Sequence, residues 1–151
     1  MRSRRAVDAL VAVCAATVIV SAQSAAPPAA LTEARTLIDA GKAAAAIEKL
    51  RALGDQADPR VAELLGVAYY HAGDAAHAIE TLQPVVTRLA EGSAERREAV
   101  QVLGLSHYLA GHIAESIPYL EEIRAAVPGD MKLAYALAMA YAQTRQADKA
   151  R

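Results

Sequence analysis

Residues 65–82 read LGVAYYHAGDAAHAIETL, and residues 103–120 read LGLSHYLAGHIAESIPYL. Laid over one another without a gap, the two 18-residue stretches agree at eight positions, 38 residues apart. Through residues 61–70 the apolar side chains recur at steps of three and four, the period of an amphipathic helix. Gly73 stops that helix, because glycine adopts the left-handed conformation that helix C-termini favour. Asp74 follows at once and can cap the next helix by accepting a backbone N–H. Ala78, Ile79 and Leu82 supply the second apolar stripe, so the stretch reads as two antiparallel helices hinged at "AGD". The same reading holds around Gly111, where His112 makes a poorer cap than Asp.

Small residues explain how closely such helices can lie. Gly66 and Ala78 are 12 residues apart, as are Gly104 and Ser116. A larger side chain at any of these points would push apart helices that pack about 8–10 Å axis to axis. Leu65, Tyr69 and Leu82 are expected to fill the space around the contact.

These positions resemble the tetratricopeptide repeat (TPR), whose outline is W-x2-L-G-x2-Y, then A-x3-F, then P. Ala62 stands at the Trp place, followed by Leu65, Gly66, Tyr69, Ala78 and Leu82. In the next unit Val100 replaces the Trp and His107 the Tyr, while Leu103, Gly104, Ser116, Leu120 and Pro128 keep the frame. A weaker unit precedes them (Ala34, Leu37, Gly41, Ala46, Leu50), and a partial one follows (Leu137, Ala138, Tyr141, Ala150). The resemblance implies an all-α, right-handed superhelical solenoid of antiparallel helix pairs. Its units span about 31–58, 59–92 and 97–130, with a partial unit over 131–151.

Departures from the outline carry their own expectations. The 38-residue step places about one extra helical turn near residues 87–96. Pro84 is expected to kink the second helix of its unit, and Pro118 to lie near its helix start, where missing N–H donors cost less. Tyr135, Leu137 and Tyr141 are expected to lack a covering helix, so that either the chain continues beyond Arg151, the favoured expectation, or another copy covers the open end by self-association.

Composition agrees with an all-α reading. Of 151 residues 54% are hydrophobic but only 4% aromatic, with no Phe, no Trp and six Tyr, and the chain is rich in the helix-favouring Ala, Leu, Glu and Arg. The first residues read differently. Arg2, Arg4 and Arg5 precede an uncharged run over residues 9–20 and then the small, polar SAQSAAPPAA. That order is a secretory signal peptide over residues 1–22, cleaved before Gln23, with residues 23–30 as an Ala/Pro linker. An uncleaved anchor is the alternative, although the apolar run falls short of the roughly 20 residues a bilayer span needs. Asp8 fits a twin-arginine signal poorly, and Val13 before Cys14 argues against a lipoprotein signal. Cys14 is the sole cysteine, so cleavage would leave a thiol-free chain suited to the periplasm or cell envelope of a bacterium. It would also remove three Arg and one Asp, leaving 13 Lys and Arg against 16 Asp and Glu, a net charge of −3. No basic stripe is present to neutralise phosphates, so nucleic acid is not an expected partner.

By resemblance, the concave face is lined by the first helix of each unit and binds an extended peptide or a partner helix. Its residues would be Arg60, Glu63, Val67, Tyr70 and His71, then Glu98, Gln101, Leu105 and Tyr108, then Lys132, Tyr135 and Met139. Tyrosines suit such a face, each giving a rigid apolar surface and a hydrogen-bonding tip; packing between units is the alternative role for Tyr70, Tyr108 and Tyr135. The Lys/Asn carboxylate clamp of chaperone-binding members is not expected, because the chain has no Asn and Glu63 and Val67 occupy clamp places.

Catalytic patterns are missing from the sequence. His71, His77, His107 and His112 form no H-E-x-x-H, and no Gly-rich phosphate loop occurs. His107 takes a packing position, while His77 and His112 fall at hinges and should be solvated. Neither a metal nor a cofactor is expected. Two functions fit: a non-catalytic exported scaffold that binds a protein or peptide, or the N-terminal repeat arm of a larger exported enzyme. Membrane contact is expected only through an uncleaved N-terminal segment.

Overall fold

The computed structural model describes residues 28–54 and 58–144. The expected signal peptide, Cys14, most of the linker and Ala150 lie outside them. The described residues form seven α-helices and no strand: α1 (Pro28–Asp39), α2 (Ala43–Ala52), α3 (Pro59–His71), α4 (Ala75–Leu82), α5 (Ala94–Leu109), α6 (Ile113–Ala126) and α7 (Met131–Gln143). A 3-10 turn, Val86–Arg88, lies between α4 and α5. Each helix packs on the next, and α1 on α3, α3 on α5 and α5 on α7. Three-residue connections join α1 to α2, α3 to α4 and α5 to α6, so these pairs are antiparallel hairpins stacked in chain order.

The hinges close by one hydrogen-bond pattern. Gly73 has φ +80°; its N–H donates to the Tyr70 carbonyl at 3.0 Å, and the Asp74 N–H reaches back to the Tyr69 carbonyl at 2.9 Å. Gly111, at φ +81°, repeats the arrangement, with the His112 N–H donating to the His107 carbonyl at 2.8 Å. This paired closure satisfies two carbonyls that the helix end would leave bare, and it requires a left-handed residue at the glycine. Four helices then start on a side-chain cap: Asp58 for α3, Asp74 for α4, Ser93 for α5 and Asp130 for α7. His112 gives no such bond to α6.

The core runs along the hairpin interiors. Ala34, Ala46, Ala78 and Ser116 are wholly buried, and so are Leu50, Leu82 and Leu120, each four residues further along its second helix. The Ser116 hydroxyl donates to the Ile113 carbonyl at 2.8 Å, which lets a polar group stand in the small-residue place. Opposite them, Leu82 lies against Gly66 and Leu120 against Gly104.

Three expectations are corrected. Pro84 does not kink a helix: α4 ends at Leu82, and the Val85 N–H turns back three residues to the Leu82 carbonyl. A proline has no N–H for the fourth carbonyl back and its ring crowds it, so the helix stops and tightens into the 3-10 turn. Pro118 lies deeper than expected, as the sixth residue of α6, which runs on to Ala126. Leu137 and Tyr141 are buried, with the Tyr141 hydroxyl donating to Glu121 on α6 at 2.5 Å; only Tyr135 of that trio is exposed. α6 is long enough to cover α7 from one side, which the partial fourth unit did not suggest.

Candidate partner-binding face

The first helices, α1, α3, α5 and α7, pack in series and present one shared face. Its residues fall in register: Ala34, Gly66, Gly104 and Ala138 take the small-residue place, so Arg35, Val67, Leu105 and Met139 follow it in the four units. That following place is charged in α1 and apolar in α3, α5 and α7.

Arg35 of α1 reaches α3 and α5. Its guanidinium donates to Glu98 of α5 at 2.7 Å and to Glu63 of α3 at 3.2 Å. Glu63 is 1% exposed. Burial pushes its carboxyl up to about 8, against the pull of the Arg35 charge and with a further push from Glu98. Burial draws the Arg35 guanidinium down, but its bonds and charge contacts with Glu98 and Glu63 prevail and raise it. Arg60 is exposed and turned onto Asp58, which accepts from its Nη2 at 2.8 Å and also caps α3. Arg35, Arg60, Glu63 and Glu95 border a cleft of about 300 Å³ between α1, α3 and α5.

The same first helices also carry aromatic and aliphatic groups. Tyr70, Leu105 and Tyr108 are half-buried against the core, and Gln143 of α7 donates to the Tyr108 hydroxyl at 3.4 Å. Burial raises the Tyr70 hydroxyl, so it stays a neutral donor. Gln101 and Met139 are half-buried, and His71 and Lys132 exposed. Tyr135 is 68% exposed and Met131 79%.

Two expected face residues are displaced. Glu63 and Val67 are buried, covered where α1 and α5 close over α3, and neither presents a side chain to solvent. Arg35 was missed. An Arg in the register place held elsewhere by Val, Leu and Met was the available signal, but nothing in its own helix names carboxylates 28 and 63 residues away.

His107 on α5 and His77 on α4 are held by ring stacking. His107 is buried, stacks on Tyr119 with ring centres 5.6 Å apart, and has neither ring nitrogen hydrogen-bonded. Burial and the neighbouring His112 lower its pKa, keeping it neutral and aromatic. His77 is exposed, stacks on Tyr69 and has its Nδ1 2.6 Å from Asp74. No cluster of three metal-ligating side chains occurs among the described residues, and no described helix is long and apolar enough to cross a membrane.

No family model matches the sequence, and no curated protein matches it. Among solved structures, MamA (AMB-1), a TPR-like protein, shares the fold with a TM-score of 0.71 and 22% identity, over 81% of this chain and 66% of the MamA chain. The match thus spans just under two thirds of MamA. At that identity the likeness concerns the fold, and it supports a TPR-like, all-helical arrangement for this chain.

Proposed function

We propose that the chain is a non-catalytic scaffold of the tetratricopeptide type, a superhelical stack whose first-helix face binds a peptide or a partner helix. The observation that carries this reading is that successive first helices carry half-buried Tyr70, Leu105 and Tyr108 and exposed Tyr135. Rigid aromatic groups that are partly covered and partly open make strong binding anchors, because little side-chain freedom is lost on contact. The TPR-like fold of MamA supports a protein-binding role. Export belongs to the same proposal and rests on the order of residues 1–22: basic start, short apolar run, small-residue end.

Capture from a cell-envelope extract, using the wild-type chain and a Tyr70→Ala/Tyr108→Ala variant as baits, tests the face. The variant should lose the captured protein while its helical circular dichroism stays unchanged. Equal capture by both would place binding elsewhere.

A further inference from the structure

His107 holds in α5 the register place that Tyr69 holds in α3. The residue is 6% exposed, and both ring nitrogens are shut off from solvent without a hydrogen-bond partner. Tyr119 of α6 stacks on the ring with planes 5° apart, and the His112 ring stands 5.7 Å away, centre to centre. The part of α6 over this imidazole is lightly held. Its start has no side-chain cap at His112, and Pro118, its sixth residue, has no N–H to give the Ala114 carbonyl. Residues 113–119 therefore depend on packing against α5, with Ser116 and Ile117 buried and Ile113 and Tyr119 partly so. A proton on His107 would put a charge in this closed place, with an N–H on each nitrogen and an acceptor for neither. Opening of residues 113–119 would admit water to both. The ionisable groups around the ring are His112 of the hinge, Glu115 and Tyr119 of α6, and Glu122, which accepts from Arg96 of α5 at 2.7 Å. The neighbour that follows α4, Gln83, is uncharged, and α3 and α7, which also pack on α5, add nothing to the charge felt by His107 among the described residues. His112 repels the proton, and only exposed Glu115 favours it. The lowered pKa of His107, from burial first and then His112 against Glu115, agrees with this geometry.

We propose that His107 makes residues 113–119 an acid-released flap: uptake of a proton by the closed imidazole drives the uncapped, proline-interrupted start of α6 off α5 and exposes Ile117 and Tyr119. The flap belongs to the α5–α6 packing and stands whether or not the first-helix face binds a peptide.

Hydrogen–deuterium exchange of the whole chain, corrected for the intrinsic effect of pH, reads the flap directly. The ordinary value of the imidazole is 6.5, so below it the opened segment takes up a proton that the closed one refuses, and protection falls as pH falls. From about pH 7.5 to about pH 5.5, protection over residues 113–119 should fall severalfold more than over residues 43–52 of α2, and about tenfold more if the closed ring refuses the proton altogether. His107→Tyr, which sets there the side chain that Tyr69 brings to the same place in α3, cannot take the proton and should abolish that excess. Parallel loss in both segments, no loss in either, or an excess that survives in His107→Tyr would overturn the proposal. Should His107→Tyr fail to fold, the smaller and equally uncharged His107→Gln must also abolish the excess; its persistence there would count equally against the flap.

Discussion

A Cβ built on Gly66 would lie 2.3 Å from Cγ of Leu82, and 2.7 and 2.9 Å from its two methyl carbons. At Gly104 the nearest atoms of Leu120 stand at 3.0–3.2 Å. Replacing a mid-helix glycine by alanine gains about 1 kcal/mol of helix propensity, while overpacking costs about 1–3 kcal/mol. Gly66→Ala should therefore lower the chemical-denaturation midpoint, with Gly104→Ala closer to neutral; a rise at Gly66 would contradict the contact. The 12-residue spacing made this contact legible, because two small residues in register on facing helices have a direct steric reading. Glu63 was not legible in the same way. Its helix places it on the outer side of α3, and only the approach of Arg35 and Glu98 from neighbouring units turns that side inward.

Among the elements, helix ends explain most of what the sequence did and did not disclose. Gly73 with Asp74 marks a stop and a start within two residues, and the structure has both there. The Asp74 carboxyl, accepting from the His77 N–H at 3.1 Å, is held below its ordinary range chiefly by that bond. Pro84 was harder, since a proline inside an apolar pattern can either bend a helix or end it. The end wins because the 3-10 turn at Val86–Arg88 carries the chain on, with Val85, Val86 and Leu89 all buried. α6 begins after His112 without the side-chain cap that Asp74 gives α4. His112→Asp should add one and stabilise the fold by about 0.5–1 kcal/mol, helped by the favourable field at a helix N-terminus. An unchanged melting temperature would mean that the Asp74 geometry does not transfer to this hinge.

The whole molecule is a series of hairpins in which each unit covers part of the next, so charges far apart in sequence meet on one face. Glu63 links that packing to pH. Its ordinary carboxyl value is 4.5, and in the fold it is pushed up to about 8. Between those values the folded state holds a proton that the unfolded chain has released, so stability falls as pH rises through the window and levels off above it. Asp74 acts in the opposite sense only below its ordinary value of 3.8, outside that window, while His107, lowered from 6.5 by burial, acts in the opposite sense inside it. The Glu63 contribution is therefore read as a difference: on going from about pH 5.5 to about pH 8.5 the melting temperature should change less favourably in the wild-type chain than in Glu63→Gln. Equal changes in both proteins would remove Glu63 as the cause. The hairpin order was legible because it follows from local stops and starts, whereas the pairing of Arg35 with Glu63 and Glu98 depends on contacts between units.

Site-specific photo-crosslinking inside cells that make the protein tests the binding face most directly. A photoreactive amino acid in place of Tyr108, on the first-helix face, should trap a discrete protein partner, while the same group in place of exposed Glu80 on α4 should trap none. Trapping from position 80, or from neither position, would contradict a scaffold that works through its first-helix face.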